Sequence, residues 1–479
     1  MTEAQKIAQN TIIQISGKAI TIAFALIGFG LMARYLGQEG FGYFSTVYAF
    51  LAIFGILIDL GLQMTTTRLI SDPAENESQI LSNALTIRLI ASIIFLGLAP
   101  LVVLFFPYAK IIKIGVALAA IGFVFSSLTA TLTSLFQKRL IMHKIVIAEV
   151  AARIVFLAAL IFAVYFNLGL LAIISTLVLE SFLAFIVLFY FASKLISLKP
   201  SFQFPVWKKI LTATWPIALT IALNLIYFKG DIFIMSLIRS QAEVGLYGAP
   251  YRILEVLINI AYLFLGLILP LLATTVAVKN FDKLKVVVQT AFDFLIVLSL
   301  PMIVGGYFLG RPIMVLMAGP DFAVSGEIIK ILLLATAAIF IASLFGYVVV
   351  ALGKQKQMIK FYLLNAVISI VGYSIFISQY GYWGAAWMTV FTEAFILITA
   401  AYVMKKNINF LPNLKLLVKA LLASLIMAVP LYLLPQINFI ILIFTGALVY
   451  FAALYLLKGF NQQLILELVK TKKDETIEN

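Results

Sequence analysis

About fourteen apolar stretches follow one another along this chain, each long enough to cross a lipid bilayer. A spanning helix needs about 20 mostly apolar residues, and the stretches 145–166 and 168–192 have that length. Backbone groups cannot be hydrated within the hydrocarbon core, so such segments have to be helical. With 63% hydrophobic and 11% charged residues, the chain has no room for a sizeable soluble domain. The sequence therefore predicts an all-α integral membrane protein.

The distribution of lysine and arginine predicts the orientation. The predicted spans are 8–33, 41–69, 81–106, 114–136, 145–166, 168–192, 210–238, 244–276, 286–309, 327–352, 360–379, 383–403, 416–434 and 438–457. The even number places both termini on one side, and the loops of that side hold most of the basic residues outside the spans. The positive-inside rule then predicts cytoplasmic termini. One loop of that side, Ser71–Gln79, is acidic, which the rule tolerates because acidic residues contribute little to it.

Charge and composition exclude several functions. The net charge of +14 is concentrated in predicted cytoplasmic loops, where it attracts anionic lipid, so it does not indicate a nucleic-acid partner. The chain has no cysteine and one histidine, His143, so we expect neither disulfides nor a metal site. It also has no glycine-rich phosphate loop with its lysine. We therefore expect no cofactor and no catalytic activity, and the charges within spans favour a transporter.

Three short motifs recur once each, in the same order along the chain. QEGFGYF at 38–44 is echoed by QAEVGLY at 241–247, KRLIMHK at 138–144 by KQKQMIK at 354–360, and TLVLESF at 176–182 by TVFTEAF at 389–395. Each copy holds six predicted spans, and parallel repeats of this kind build two-lobed transporters. The sequence thus predicts two six-helix lobes related by a pseudo-two-fold axis, followed by two extra spans and a cytoplasmic tail, Gly459–Asn479. The expected boundaries are 1–200, 201–405 and 406–479.

Further motifs carry a family resemblance over essentially the whole chain. They are WP at 215–216, YFKGD at 227–231, EVGLYGAPYRILE at 243–255 and LP at 269–270, with RYLGQEGFG at 34–42 and LMAGPDF at 316–322. In this order they resemble the polysaccharide (O-antigen type) flippases of the multidrug/oligosaccharidyl-lipid/polysaccharide (MOP) exporter superfamily. The resemblance implies a V-shaped pair of lobes around an often cationic cavity. It also implies transport of undecaprenyl-diphosphate-linked oligosaccharide in the bacterial cytoplasmic membrane, with glycan polymerase or assembly proteins as possible partners.

Cations within spans are the candidates for binding a diphosphate head group. An ionised side chain at mid-bilayer costs about 2.5–3.5 kcal/mol on insertion scales, so such a residue needs a reason to be there. A diphosphate that leaves water needs charge-assisted hydrogen bonds, which lysine and arginine supply. We expect this role for Lys18, Arg252 and Lys229.

Polar and acidic span residues complete the candidate site. Sugars need hydroxyl, amide and aromatic partners, and the candidates are Gln14, Asn224, Tyr227, Tyr251, Asn259 and Tyr262. The carboxylates expected to bind a coupling proton or sodium ion are Asp59, Asp231 and Asp293.

The remaining span charges have structural interpretations. Arg68, Arg88 and Lys330 are expected to extend to the membrane surface. Glu149 and Arg153, four residues apart, are expected to pair along one helix. Glu180 and Glu393, at matching repeat positions, are also interpreted as structural.

Several alternatives stay open at this point. A lipid II flippase is scarcely separable from an O-antigen type flippase by sequence. A cation-coupled multidrug exporter of the same superfamily is disfavoured, because such exporters usually have twelve spans and acidic cavities. A membrane glycan polymerase or ligase would generally need a sizeable outer loop with catalytic residues. The longest predicted outer loop, Gly310–Gly326, holds little besides Arg311 and Asp321.

Overall fold

The computed structural model describes residues 3–59, 61–434 and 437–459, and within them the regular elements are helical, without a β-strand. The helices are α1 Glu3–Asp59, α2 Leu62–Ile70, α3 Glu77–Val102, α4 Lys110–Lys138, α5 Met142–Tyr165, α6 Gly169–Ser193, α7 Phe204–Ile238, α8 Gln241–Ala277, α9 Phe281–Ala318, α10 Ser325–Ala351, α11 Lys356–Ile408, α12 Lys415–Leu433 and α13 Phe439–Leu456. Eleven stretches of the described residues are long and apolar enough to cross a membrane. The all-α class is confirmed, while the count of fourteen spans stays a prediction. Nearly all of the predicted cytoplasmic tail, 460–479, lies outside the described residues.

Glycine breaks two long helices where the sequence predicts loops. α1 is interrupted at Gly37, with φ 63° and ψ −174°, and α11 at Gly381, with φ 58° and ψ −137°. Backbone with this positive φ and extended ψ is accessible essentially to glycine alone. Each helix therefore has two arms, which are 3–36 and 38–59 in α1 and 356–380 and 382–408 in α11.

A third glycine breaks a predicted span. The sequence predicts a span over 41–69, and within it the second arm of α1 ends at Asp59 and α2 begins at Leu62. Between them Gly61 has φ 79° and ψ 16°, a left-handed conformation that glycine adopts at no steric cost. Hydropathy averages over many residues and does not detect one turn, so it predicts the span without this break.

The helices form two compact units. The first comprises the chain up to Arg252 together with Leu316–Phe322 and Tyr362–Met388, and the second comprises Ile253–Val315, Ala323–Phe361 and the chain from Thr389 onward. In the first, apolar side chains of α3 to α6 form a buried cluster, which includes Leu81, Leu132, Phe136, Ala148 and Leu188. In the second, Phe264 and Phe294 stack with ring centroids 4.1 Å apart. The predicted lobe boundaries stay a prediction.

Within the first unit the two copies of one repeated motif pack against each other. Gly42 in α1 faces the carbonyl oxygen of Gln241, and Gly245 in α8 faces the carbonyl oxygen of Gln38. A Cβ atom on either glycine would overlap the oxygen that it faces. Because the two contacts are reciprocal, the crossing has the pattern expected of a two-fold relation. Glycine is what allows the backbones to approach so closely.

The segment between α6 and α7 is held against α3. The buried side chain of Asn83 accepts hydrogen bonds from the backbone N–H of Gln203 at 3.0 Å and from the indole N–H of Trp207 at 2.9 Å. The Thr86 hydroxyl accepts one from the backbone N–H of Ser201 at 2.9 Å. These bonds fix the start of α7 relative to α3.

Candidate functional site

Lys18, on the first arm of α1, faces Glu149 on α5. Its Nζ lies 4.0 Å from Oε2 of Glu149, and both side chains are 40% exposed. The two helices approach closely here because Gly17 lacks a Cβ, which would collide with the side chain of Val146. The ion pair of Lys18 with Glu149 is therefore a loose one, and the Lys18 side chain is partly exposed rather than enclosed.

Arg153, one turn along α5 from Glu149, pairs with Glu180 on α6. Its Nη1 donates to Oε2 of Glu180 at 3.2 Å, and its Nη2 lies 3.1 Å from Oε1. Two parallel contacts of this kind are the stronger form of an arginine–carboxylate pair. The predicted pairing of Arg153 with Glu149 is wrong, because the neighbouring helix presents a carboxylate in better geometry than a residue on the same helix can.

Arg252 on α8 belongs to a mixed aromatic and polar region of the first unit. Its guanidinium carbon lies 5.7 Å from the ring centre of Phe44, and that ring lies 4.6 Å from the ring of Tyr48. Tyr48 also lines a cavity of about 180 Å³ together with Ser126 and Ser181. Ser126 donates a hydrogen bond to Ser181 at 3.0 Å. The cavity is thus lined by hydroxyl groups as well as aromatic carbon.

The sequence identifies only some of the residues in this region around Arg252. Phe44 lies in the repeated motif at 38–44, which is a usable signal. Tyr48, Ser126 and Ser181 lie in apolar spans with no distinguishing pattern, so only the packing of three helices brings them together.

Lys229 and Asp231 on α7 both lie close to tyrosines of α8. Asp231 is completely buried and accepts a hydrogen bond from the Tyr247 hydroxyl at 2.8 Å. The Nζ atom of Lys229 lies 5.3 Å and 5.5 Å from the ring centres of Phe228 and Tyr251, within the range of cation–π attraction. The structure thus brings three predicted site residues, Lys229, Asp231 and Tyr251, into one region.

Asp59 pairs with Arg88. The Nη2 of Arg88 lies 2.8 Å from Oδ1 of Asp59, and the arginine side chain is 3% exposed whereas the aspartate is 42% exposed. The prediction that Arg88 extends to the membrane surface is therefore wrong. Lys330 pairs with Glu327 at 2.7 Å.

The other predicted site residues are scattered. Gln14 is exposed and Tyr227 is buried, both in the first unit. The side chain of Asn224 lies outside the described residues. Asn259, Tyr262 and Asp293 belong to the second unit. Asn259 and Tyr262 are exposed, and the Asn259 amide donates a hydrogen bond to the backbone carbonyl of Glu255 on the same helix. The Asp293 carboxylate accepts a hydrogen bond from the Gln289 amide at 2.9 Å.

The acidic loop between α2 and α3 is neutralised by basic side chains of two other predicted loops, which lie at the end of α4 and the start of α7 in the structure. Glu75 pairs with Lys209, and Glu77 pairs with Arg139 at 2.9 Å and with Lys138 at 3.5 Å. The hydrogen bond to Glu77 raises the pKa of the Arg139 guanidinium above its usual value. All three loops are predicted to lie on the side of the termini, so their contact agrees with the alternation of the spans.

Known sequence families match much of the chain. The family described as "Polysaccharide biosynthesis protein" matches residues 7–276, more than half of the 479 residues. The chain belongs to this family. A second family, MatE, matches residues 216–375. The resemblance drawn from the motifs in the sequence is confirmed.

Individual proteins agree with this assignment. The chain is 22% identical over 379 residues to a Shigella dysenteriae protein named "Putative O-antigen transporter", which covers 78% of this chain and 94% of that protein. The fold of the present chain is similar to that of lipid II flippase MurJ in an inward closed conformation, with a TM-score of 0.76 and 18% sequence identity. The match covers 92% of this chain and 98% of the MurJ chain. The fold is also similar to an inward-facing multidrug resistance MATE family transporter of the MOP superfamily, with a TM-score of 0.69, 12% identity, and 83% and 98% covered. The protein is thus a multi-pass membrane protein with the fold of MOP-superfamily transporters.

Proposed function

We propose that this protein is a flippase that moves an undecaprenyl-diphosphate-linked oligosaccharide across the cytoplasmic membrane by alternating access. Membership of the polysaccharide biosynthesis family and the relative named as an O-antigen transporter support this substrate class. The observation that carries the proposal is Lys18, a cation within an apolar membrane helix whose side chain is 40% exposed. A cation at this depth is costly unless it meets water or an anion.

The diphosphate head group is proposed to bind to Lys18, Arg252 and Lys229. Lys18 is paired at 4.0 Å with an equally exposed carboxylate, and ion pairs of this kind are worth little, so an incoming phosphate can replace the carboxylate. Arg252 and Lys229 lie against aromatic rings, and the N–H groups of their cationic heads are able to donate hydrogen bonds to an anion. Such donors form charge-assisted hydrogen bonds with a diphosphate.

The sugars are proposed to contact amide and aromatic side chains. Gln14 and Asn259 are exposed and can hydrogen-bond to sugar hydroxyls as they stand. Tyr251 and Tyr227 are buried, so we expect them to meet the glycan in another conformation of the transport cycle, together with Asn224.

A coupling ion is proposed to bind at Asp231. A completely buried carboxylate is costly in ionised form even with the Tyr247 hydroxyl and the backbone N–H of Ile232 as donors, and a proton or a sodium ion would offset that cost. Asp59 and Asp293 are secondary candidates, because Asp59 already has the Arg88 guanidinium and Asp293 the Gln289 amide.

A lipid II flippase is the second candidate, supported by the fold similarity to MurJ. Both substrates present a polyprenyl diphosphate, so the cations serve either one equally. Only the glycan differs, and the transport assay has to compare the two.

Transport in proteoliposomes tests the function. A fluorescent polyprenyl-diphosphate oligosaccharide would be offered to the parent and to Lys18→Ala and Arg252→Ala, with lipid II as a second substrate. We expect transport by the parent and a loss of about tenfold or more in each variant, because each removes a charge-assisted contact worth about 1.5–3 kcal/mol.

Two substitutions outside the site serve as controls. Lys330→Ala removes a lysine that pairs with Glu327, and Arg68→Ala removes an exposed arginine, so both should transport normally. Equal transport by all variants would keep the function and discard the cation site. Transport of lipid II in preference to the oligosaccharide would select the second candidate, and efflux of organic cations alone would contradict both.

A further inference from the structure

Four charged side chains form a ladder of two ion pairs across α1, α5 and α6. In order they are Lys18, Glu149, Arg153 and Glu180, so cations and carboxylates alternate and their formal charges cancel. Glu149 and Arg153 share one face of α5, since they are one helical turn apart. The cation proposed to take the head group is therefore already faced by a carboxylate of the protein itself.

The two cross-helix pairs in this ladder differ in strength. Arg153 and Glu180 make two contacts, at 3.1 Å and 3.2 Å, which hold both side chains in a fixed arrangement. Lys18 and Glu149 make one contact at 4.0 Å, the limit for an ion pair, and both are 40% exposed. The bidentate pair is thus the fixed part of the ladder and the lysine pair the exchangeable part.

From this difference we infer that Glu149 is an exchangeable counter-ion that sets how tightly Lys18 holds the diphosphate. The inference rests on the proposed function of Lys18. Before transport Glu149 faces the lysine, the diphosphate takes its place during binding, and Glu149 returns as the substrate leaves. Glu149 is a positioning residue in this scheme, since it acts on the substrate through Lys18.

The physical reason is competition between two anions for one cation. A lysine with no protein carboxylate near it would bind a diphosphate more tightly, and release would slow accordingly. Because the diphosphate has to replace Glu149, its binding free energy is weakened by the free energy of the Lys18–Glu149 pair. The fixed Arg153–Glu180 pair meanwhile keeps α5 and α6 in register. A transporter has to release its substrate, so a weaker site gives faster turnover.

Two measurements test this on the full-length protein. Purified protein would be titrated with inorganic pyrophosphate, and initial transport rates would be measured with the fluorescent polyprenyl-diphosphate oligosaccharide. For Glu149→Gln we expect pyrophosphate binding tighter by roughly two- to fivefold, as the loss of one partly exposed ion pair allows. KM should fall by a similar factor and the maximal rate should fall with it.

Companion variants separate this role from a structural one. Adding Lys18→Ala to Glu149→Gln should abolish the gain in pyrophosphate binding, because the two side chains act on one anion. Glu149→Asp, which keeps the charge on a shorter side chain, should lie between Glu149→Gln and the parent. Glu327→Gln removes a carboxylate that pairs with a different lysine, Lys330, and should change neither quantity.

Each result has a defined meaning. Pyrophosphate binding that is equal in Glu149→Gln and the parent, or a gain that survives the loss of Lys18, overturns the inference. If Glu149→Gln does not fold, pyrophosphate binding is measured on Glu149→Asp instead. Binding by Glu149→Asp that is no tighter than by the parent then counts against the inference. A parent that binds pyrophosphate as predicted but transports no polyprenyl-diphosphate glycan contradicts the proposed function instead.

Discussion

At the scale of single residues, the depth of a charge in its span does not tell which partner it has. Arg88 was expected at the membrane surface, yet it is buried against Asp59. Arg153 was expected to pair within α5, yet it pairs with Glu180 on α6. In both cases the partner lies on another helix, and the partner is what makes burial of the cation tolerable.

The Arg88 pair leads to a stability prediction. Arg88→Ala leaves Asp59 without its cation and opens a void among buried side chains, and breaking a buried pair costs about 3–5 kcal/mol. Because Asp59 is 42% exposed, we expect a loss toward the lower end of that range. Thermal unfolding in detergent would measure it, and the double variant Asp59→Asn with Arg88→Met should recover part of the loss. Unfolding of Arg88→Ala at the parent's temperature would contradict the prediction.

At the scale of elements, glycines decide where helices stop and how closely they cross. Gly37 and Gly381 break α1 and α11 because their backbone is unfavourable for any residue with a side chain. Gly42 and Gly245 act differently, since they lie within helices and face a backbone oxygen of the other motif copy. Glycine is required at 37 and 381 because of the backbone conformation there, and at 42 and 245 because a side chain would not fit.

Two glycine substitutions separate these effects. Gly42→Ala would place a methyl group against the carbonyl oxygen of Gln241, which belongs to the backbone and cannot rotate away as a side chain can, so we expect a loss of about 1–3 kcal/mol. Gly97 on α3 also lies within a helix but has open space around it, so Gly97→Ala should be neutral or stabilising by up to about 1 kcal/mol. Comparing the two unfolding temperatures tests the crossing, and equal shifts would argue against it.

At the scale of the whole molecule, the loops on the side of the predicted cytoplasmic termini support one another. The acidic loop after α2 was the one part that did not fit the charge pattern, and its carboxylates pair with Lys209, Lys138 and Arg139. Its local charge is thus balanced by basic residues at the end of α4 and the start of α7. We therefore propose that both termini lie in the cytoplasm, as the positive-inside rule predicts.

The absence of cysteine makes this orientation directly measurable. Single cysteines would be introduced at two exposed loop positions, Lys354→Cys between α10 and α11 and Ala109→Cys between α3 and α4. In intact cells a membrane-impermeant maleimide should label Ala109→Cys and leave Lys354→Cys unlabelled. Inverted membrane vesicles should give the opposite result. Labelling of Lys354→Cys in intact cells would place the termini outside.

The sequence by itself determined the helical membrane class, the position of most helices, the loop that contains Gly37 and the family. These follow from the length and hydropathy of local segments, from glycine chemistry and from motif order, none of which depends on distant parts of the chain. Only the tertiary structure decided that Lys18 faces Glu149, that Arg153 pairs with Glu180 and that Tyr48, Ser126 and Ser181 line one cavity. The physical reason is that an apolar helix presents similar surfaces on every side, so its rotation and its neighbours are set by side-chain packing between helices.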